Sequence, residues 1–191
     1  MLTQKAKELI KKSRIVSFSS WHHHPLAVVA IFQQADDEGR YLTDEEMAQI
    51  TEIAPDLKNS LKQAQSLRDN ATEIIERARG EIEAAYPGIS EPGGGLYPPV
   101  RAEACWRDFW HFLRCISYGI GGQSTNYTSD RGLAHLEELY REMQVPLDAM
   151  KLGLENLKVY ALAQFAPSEA KNLVPYFDHL IEQMVQFTPH K

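Results

Sequence analysis

The sequence predicts an all-α fold, and three observations carry that prediction. Apolar residues recur at steps of three and four through most of the chain, no stretch sustains two-residue alternation, and no internal repeat is present. Prolines and capping residues stand where these periodic runs begin, and two loops rich in Gly, Pro and Ser separate them.

Thr3 to Lys12 reads as a short basic amphipathic helix, and Ser13 to His24 as a turn-rich connector. Pro25 suits the first turn of a second helix running to about Asp36, because its missing N–H costs nothing there. Thr43-Asp44-Glu45-Glu46 is a capping box, with Thr43 as cap and Glu46 reaching back, and it opens a third helix ending at Ile53. The longest periodic run extends from Pro55 to Tyr86, with Leu57, Leu61, Leu67, Ile74, Ile75 and Ile82 on its stripe. Tyr86 to Pro99 holds four prolines and four glycines, too many for a regular element, and leads into a helix containing Cys105 to Arg114. Gly119 to Asp130 is a second loop. Ser129 or Asp130 caps a helix through Met143, Pro146 starts another to about Gln164, and Pro167 starts the last, ending near Phe187.

At 191 residues the chain supports one domain with a sizeable core. The expected division is a basic N-terminal extension over residues 1–24 and a helical domain over residues 25–191. A net charge of −6 with 43% apolar residues describes a soluble, mildly acidic protein and argues against nucleic-acid binding or disorder. The first fourteen residues depart from this, with Lys5, Lys7, Lys11, Lys12 and Arg14 set against Glu8 alone. Lysines interrupt every apolar run before Ile15, and the longest apolar stretch, Leu26 to Phe32, falls far short of the roughly 20 residues of a membrane span. The expectation is a cytoplasmic protein that is not transmembrane.

Cys105 and Cys115 lie ten residues apart on one expected helix. At a rise of about 1.5 Å per residue they stand roughly 15 Å apart, whereas a disulfide needs Cα atoms within about 7 Å. Both are therefore expected as free thiols. His22-His23-His24 resembles a metal tract, but three adjacent histidines cannot all face one ion, and no metal is expected. No Ser-His-Asp order, phosphate loop or paired-carboxylate pocket stands out, so the chain is not read as an enzyme.

The chemistry is concentrated in Cys105-Trp106-Arg107-Asp108-Phe109-Trp110-His111-Phe112-Leu113-Arg114. At helical spacing Arg101, Cys105, Asp108, Phe112 and Cys115 share one face, while Trp106, Phe109, Trp110, Leu113 and Ile116 form an apolar face beside it. A thiol, a carboxylate and guanidiniums next to aromatic walls favour a flat, conjugated guest.

These residues carry a resemblance. Ala35-Asp36-Asp37-Glu38-Gly39-Arg40-Tyr41-Leu42, Pro92-Gly93-Gly94, Cys105-x-Arg107-Asp108, Leu113-Arg114, Tyr118-Gly119, Glu138-x-Tyr140, Val145-Pro146 and Tyr176-Phe177-Asp178-x-Leu180-Ile181 together resemble the phycobiliproteins, most closely the allophycocyanin type. The resemblance implies a globin-like six-helix body preceded by a helical hairpin that docks on a second subunit. It implies a light-harvesting role in a phycobilisome, at the cytoplasmic side of the thylakoid membrane, with a covalently bound phycocyanobilin-type linear tetrapyrrole. Cys105 matches the thioether cysteine, Asp108 the aspartate at the pyrrole nitrogens and Arg107 the propionate partner. Arg101, Tyr118 and Trp110 are further candidates for the chromophore wall. Asp36 and Arg114, with Arg40 and Tyr41 beside them, match the pair bridging neighbouring subunits. The implied partners are another phycobiliprotein subunit or a second copy of this chain, and a linker protein.

Some positions depart from the family pattern. Gly95 stands where beta-type subunits carry an asparagine, Gly122-Gln123-Ser124 replaces the usual Ala-Gly-Asp, Trp110, His111 and Phe112 are unusual near the chromophore, and about twenty residues are added at the N-terminus. These changes point to a divergent paralogue or specialised core subunit. A bilin-based photosensor or regulatory protein, and a colourless assembly or docking protein, remain alternative readings.

Overall fold

The computed structural model describes residues 2–188; residue 1 and residues 189–191, at the outer ends of the two expected segments, lie outside the described residues. Every named element among the described residues is helical: α1 (Gln4–Lys12), α2 (Leu26–Asp37), α3 (Asp44–Ile53), α4 (Lys58–Asp69), α5 (Ala71–Ala85), α6 (Pro99–Gly121), α7 (Asp130–Glu142), α8 (Leu147–Leu162) and α9 (Pro167–Val185), with one 3₁₀ turn at Pro55–Leu57. Helices α4 to α9 make a globin-like body, α2 and α3 pack on each other as a hairpin before it, and α1 lies on α7.

Local chemistry sets the boundaries. Thr43 accepts the Glu46 N–H at 3.2 Å while the Glu46 carboxylate accepts the Thr43 N–H at 2.9 Å, closing the capping box that opens α3. Ser129, rather than Asp130, caps α7 by accepting the Gly132 N–H at 3.1 Å. Pro99 and Pro167 occupy first turns, where a proline is tolerated.

The run from Pro55 to Tyr86 is broken. At Asn70 the backbone leaves helical geometry, with φ −103° and ψ 7°, and the side-chain amide donates to the Ser66 carbonyl at 2.8 Å. The apolar period continues across the break, yet its two halves serve different neighbours: α4 packs on α6, and α5 on α8. One straight helix would hold its stripe against a single partner. Close helix contact also depends on Gly153, where a Cβ would stand 2.2 Å from the Phe109 ring and 2.7 Å from Ile82.

The connector before α2 is pinned to the body. Trp21 is 1% exposed, packs edge-on against Phe18 and Phe32 and donates from its indole to the Asn126 carbonyl at 3.1 Å. Val16 bridges to Thr128, and Ser129 donates to the Ile15 carbonyl at 2.7 Å. The strap passes so close to the start of α7 that a Cβ on Gly132 would stand 1.8 Å from the Arg14 carbonyl oxygen. No helix among the described residues is long and apolar enough to cross a membrane.

Candidate functional site

A cavity of about 760 Å³ lies between α6, α7, the end of α2, α1 and the connector. This is within the range of about 300–1,000 Å³ typical of small-molecule and cofactor sites. Helix α6 contributes Arg101, Cys105, Arg107, Asp108, His111 and Phe112, together with Cys115, and α7 contributes Leu136, Leu139 and Tyr140. Spacing explains the α6 wall: positions 101, 105, 108, 112 and 115 recur at three- and four-residue steps and so face one way.

Burial dominates the electrostatics of this wall. Cys105 is 3% exposed, and burial, reinforced by the neighbouring Asp108 charge, pushes its thiol up to about 12. Burial likewise raises the Asp108 carboxyl to about 6, although the Tyr140 hydroxyl donates to its Oδ2 at 3.0 Å and the Arg107 charge opposes the rise. His111 is lowered to about 4 by burial and by the charges of Arg114 and Arg107, and is neutral near pH 7. Arg107 is exposed at the cavity and forms no ion pair among the described residues. Arg101 donates to the carbonyls of Met143 and Gln144 at the end of α7, leaving its buried Nε unpartnered. A carboxylate destabilised by burial is stabilised by a cationic N–H guest, and an uncommitted guanidinium by a guest carboxylate. One buried acceptor and one free guanidinium donor fit a protonated tetrapyrrole bearing propionates. Among the described residues no group of three His, Cys, Asp or Glu is placed to hold a metal ion.

Arg101, Cys105, Arg107 and Asp108 come together as expected from the sequence. Trp110 and Tyr118 do not join them. Trp110 packs edge-on against Tyr41 at 4.8 Å, and Tyr118 is wholly buried, its hydroxyl accepting from Arg114 at 2.8 Å and donating to the Arg40 carbonyl. Trp106 and Phe109 also turn from the cavity into the core, because the 106–109–113–116 face of α6 points into the body. The flat wall expected from these residues is supplied by Phe112 and Tyr140. Tyr140 was visible in the sequence only as part of the Glu138-x-Tyr140 anchor. Cys115, on the same face of α6, is buried in the core and also touches the cavity.

The four expected interface residues are engaged within one chain. Asp36 and Arg114 pair at 2.8 Å and are each 7% exposed, and Arg14 of the connector reaches the other Asp36 oxygen at 2.9 Å. Arg40 binds Glu46 in a forked pair at 2.7 and 2.8 Å, and Glu38 at 2.6 Å. Tyr41 is buried, with its hydroxyl donating to the Trp110 carbonyl at 3.3 Å. The single chain therefore does not present the Asp36–Arg114 pair as a free docking surface, because α2 is folded against its own α6.

Residues 30–184 match the family described as phycobilisome protein. The allophycocyanin alpha-B chain of a Synechococcus species is 32% identical over 157 residues, covering 82% of this chain and 96% of that one. The alpha-B chain of Porphyra purpurea is 31% identical over the same share of this chain and 98% of its own. The allophycocyanin alpha chain of Mastigocladus laminosus is 30% identical over 76% of this chain and 91% of its own. The family match leaves α1 and the connector outside it. With the anchors around Cys105 in place and this breadth of similarity, the chain belongs to the phycobilisome protein family as an allophycocyanin-like phycobiliprotein.

Proposed function

We propose that this subunit carries an open-chain tetrapyrrole linked through a thioether to Cys105, and that it absorbs light and passes on excitation energy without bond-making turnover. One observation carries the reading: a thiol, a carboxylate raised by burial and an uncommitted guanidinium line a single cavity of about 760 Å³. Addition of the Cys105 S–H across an exocyclic carbon–carbon double bond of ring A forms the C–S bond and places the proton on carbon, with no net redox. Asp108 holds the pyrrole N–H groups of rings B and C, Arg107 holds a propionate, and Tyr140 orients the Asp108 carboxylate. A cavity walled by packed helices restricts the torsions that dissipate an excited state as heat.

The pigment class is phycocyanobilin-type. The partners are a second phycobiliprotein subunit or a further copy of this chain, together with a linker protein, at the cytoplasmic face of the thylakoid membrane. The division into a basic extension at residues 1–24 and a pigment-bearing domain at residues 25–191 belongs to the same proposal. The test is co-expression with haem oxygenase and a bilin reductase. A zinc-fluorescent band that survives denaturation and disappears in Cys105→Ala supports the reading; a colourless chain overturns it in favour of an assembly or docking protein. A photosensor or regulatory role outside the antenna is favoured by the Asp36–Arg114 pair being closed within the chain. A large, reversible light-induced spectral change distinguishes that role from light harvesting.

A further inference from the structure

Part of the cavity is built from the N-terminal segment that the family match does not cover. Leu2, Ile10, Lys11, Ser13, Arg14 and Ile15 all line it. α1 is held on α7 by polar ties: Thr3 donates to Glu142 at 2.9 Å, and Lys5 stands 3.1 Å from Glu138 and 3.6 Å from Glu142. Ala6 and Leu9 are buried, whereas Leu2 and Ile10 remain 43% and 49% exposed at the cavity. Two large apolar side chains are thus available to a guest rather than to the core.

Most of the cavity's cations are already engaged. Arg14 binds Asp36 and Asp37, Arg114 binds Asp36, and Arg101 spends its terminal nitrogen on two backbone carbonyls. Arg107 on α6 and Lys11 on α1 line the cavity with no carboxylate partner among the described residues. Lys12 carries the same charge one residue along but does not line it. A linear tetrapyrrole derived from haem presents two propionates beside an apolar conjugated body, so it matches a cavity lined by two uncommitted cations on different helices and by exposed apolar side chains of α1.

Resting on the tetrapyrrole reading above, we propose that α1 is a wall of the pigment site, with Lys11 binding one propionate, Arg107 the other, and Ile10 covering the pigment's apolar edge. Ala6 and Leu9 seat α1 on α7 by burial, and the Lys5 ties that add to this are exposed ion pairs, weak and screened by salt.

The test loads the full-length chain with pigment by co-expression and compares it with Lys11→Glu, Ile10→Asp, Lys11→Arg and Lys12→Glu. Zinc-induced fluorescence of the denatured chains, which reports the thioether alone, is expected to be equal in all five. In native samples, Lys11→Glu and Ile10→Asp lose fluorescence yield and are bleached by persulfate roughly threefold faster, while Lys11→Arg and Lys12→Glu follow wild type. Lys5→Glu, outside the cavity, also quickens bleaching by loosening α1. Far-ultraviolet circular dichroism confirms that each variant folds, and the exposed positions of Ile10 and Lys11 make unfolding an unexpected outcome. Wild-type yield and bleaching in both Lys11→Glu and Ile10→Asp overturn the proposal while leaving the thioether intact. A wild-type chain that takes no colour removes the tetrapyrrole reading and this proposal with it.

Discussion

Asp36 and Arg114 lie 78 residues apart in sequence and form a buried ion pair at 2.8 Å within one chain. Arg14 and the Tyr118 hydroxyl complete the network, so the end of α2, the connector and the middle of α6 converge on one charge cluster. Removing one member of a buried pair strands the other and typically costs about 3–5 kcal/mol, whereas replacing both with apolar residues is far less costly. Asp36→Ala should therefore destabilise the protein by about 3 kcal/mol, and Asp36→Leu with Arg114→Met should recover most of that loss. Urea unfolding of the pigment-free chain measures both; equal losses in the single and double variants would show that the pair is not coupled in this way.

The Cys105 thiol is the proposed attachment point, yet burial holds it near 12, so it is almost wholly protonated at neutral pH. Relative to an ordinary thiol near 9, its thiolate population at pH 8 is lower by about three orders of magnitude. The native pigment-free chain should react with iodoacetamide at least about a hundredfold more slowly than the urea-unfolded chain. Mass spectrometry of tryptic peptides reports the rate. Rapid native labelling at Cys105 would mean that the thiol is open and activated before pigment arrives.

Asp108 and His111 give the site opposing pH responses. With its carboxyl raised from 3.8 to about 6, Asp108 contributes stability that is fully present below about pH 4 and is lost as pH rises through about 6. His111, lowered from 6.5 to about 4, contributes stability that is present above about pH 6.5 and is lost as pH falls through about 4. Wild-type curves mix the two, so the informative quantity is the difference between Asp108→Asn and wild type. In the pigment-free chain Asp108→Asn should be more stable at pH 7 by up to about 3 kcal/mol, with the gain disappearing towards pH 4. In the pigment-loaded chain the cationic pyrroles stabilise the carboxylate, and the same substitution should destabilise. Urea unfolding at about pH 3.5, 5 and 7.5, which spans the two transitions, distinguishes these outcomes.

Features that depend on neighbours in sequence were legible from it, including the Thr43–Glu46 capping box, the helix-opening prolines and the shared face of Arg101, Cys105 and Asp108. The break at Asn70 was hidden because the apolar period runs through it unchanged; only the separate packing of α4 on α6 and α5 on α8 requires it. At the site, the sequence identified which α6 residues share a face but not which faces meet the cavity. Trp110 and Tyr118 were therefore expected at the pigment, while the cavity faces of Tyr140 and Lys11 depend on how α7 and α1 cross α6. The Asp36–Arg114 pair was recognisable as a pair, but whether it closes within a chain or between chains is a tertiary property.

Trp110 provides a test of that distinction. Its ring meets Tyr41 rather than the cavity, so Trp110→Phe should leave the native absorption maximum of the loaded chain unchanged. Tyr140→Phe removes the hydroxyl that donates to Asp108 at 3.0 Å and should shift it. A shift in Trp110→Phe with none in Tyr140→Phe would reverse the assignment of the aromatic wall.

The strap before α2 makes the last prediction. At Gly132 even one methyl group meets the Arg14 carbonyl oxygen at 1.8 Å, and backbone on both sides leaves no flexible side chain to yield. Gly132→Ala must therefore push the connector outward. That displacement strains the bond from Ser129 to the Ile15 carbonyl and pulls Arg14 from Asp36 and Asp37. Overpacking of this kind typically costs about 1–3 kcal/mol. Because the strap also carries α1, the effect should exceed simple destabilisation: trypsin should cut after Arg14 sooner than elsewhere, and persulfate bleaching of the loaded chain should quicken. Equal cleavage in wild type and Gly132→Ala, with unchanged bleaching, would mean that α1 holds its place without the strap.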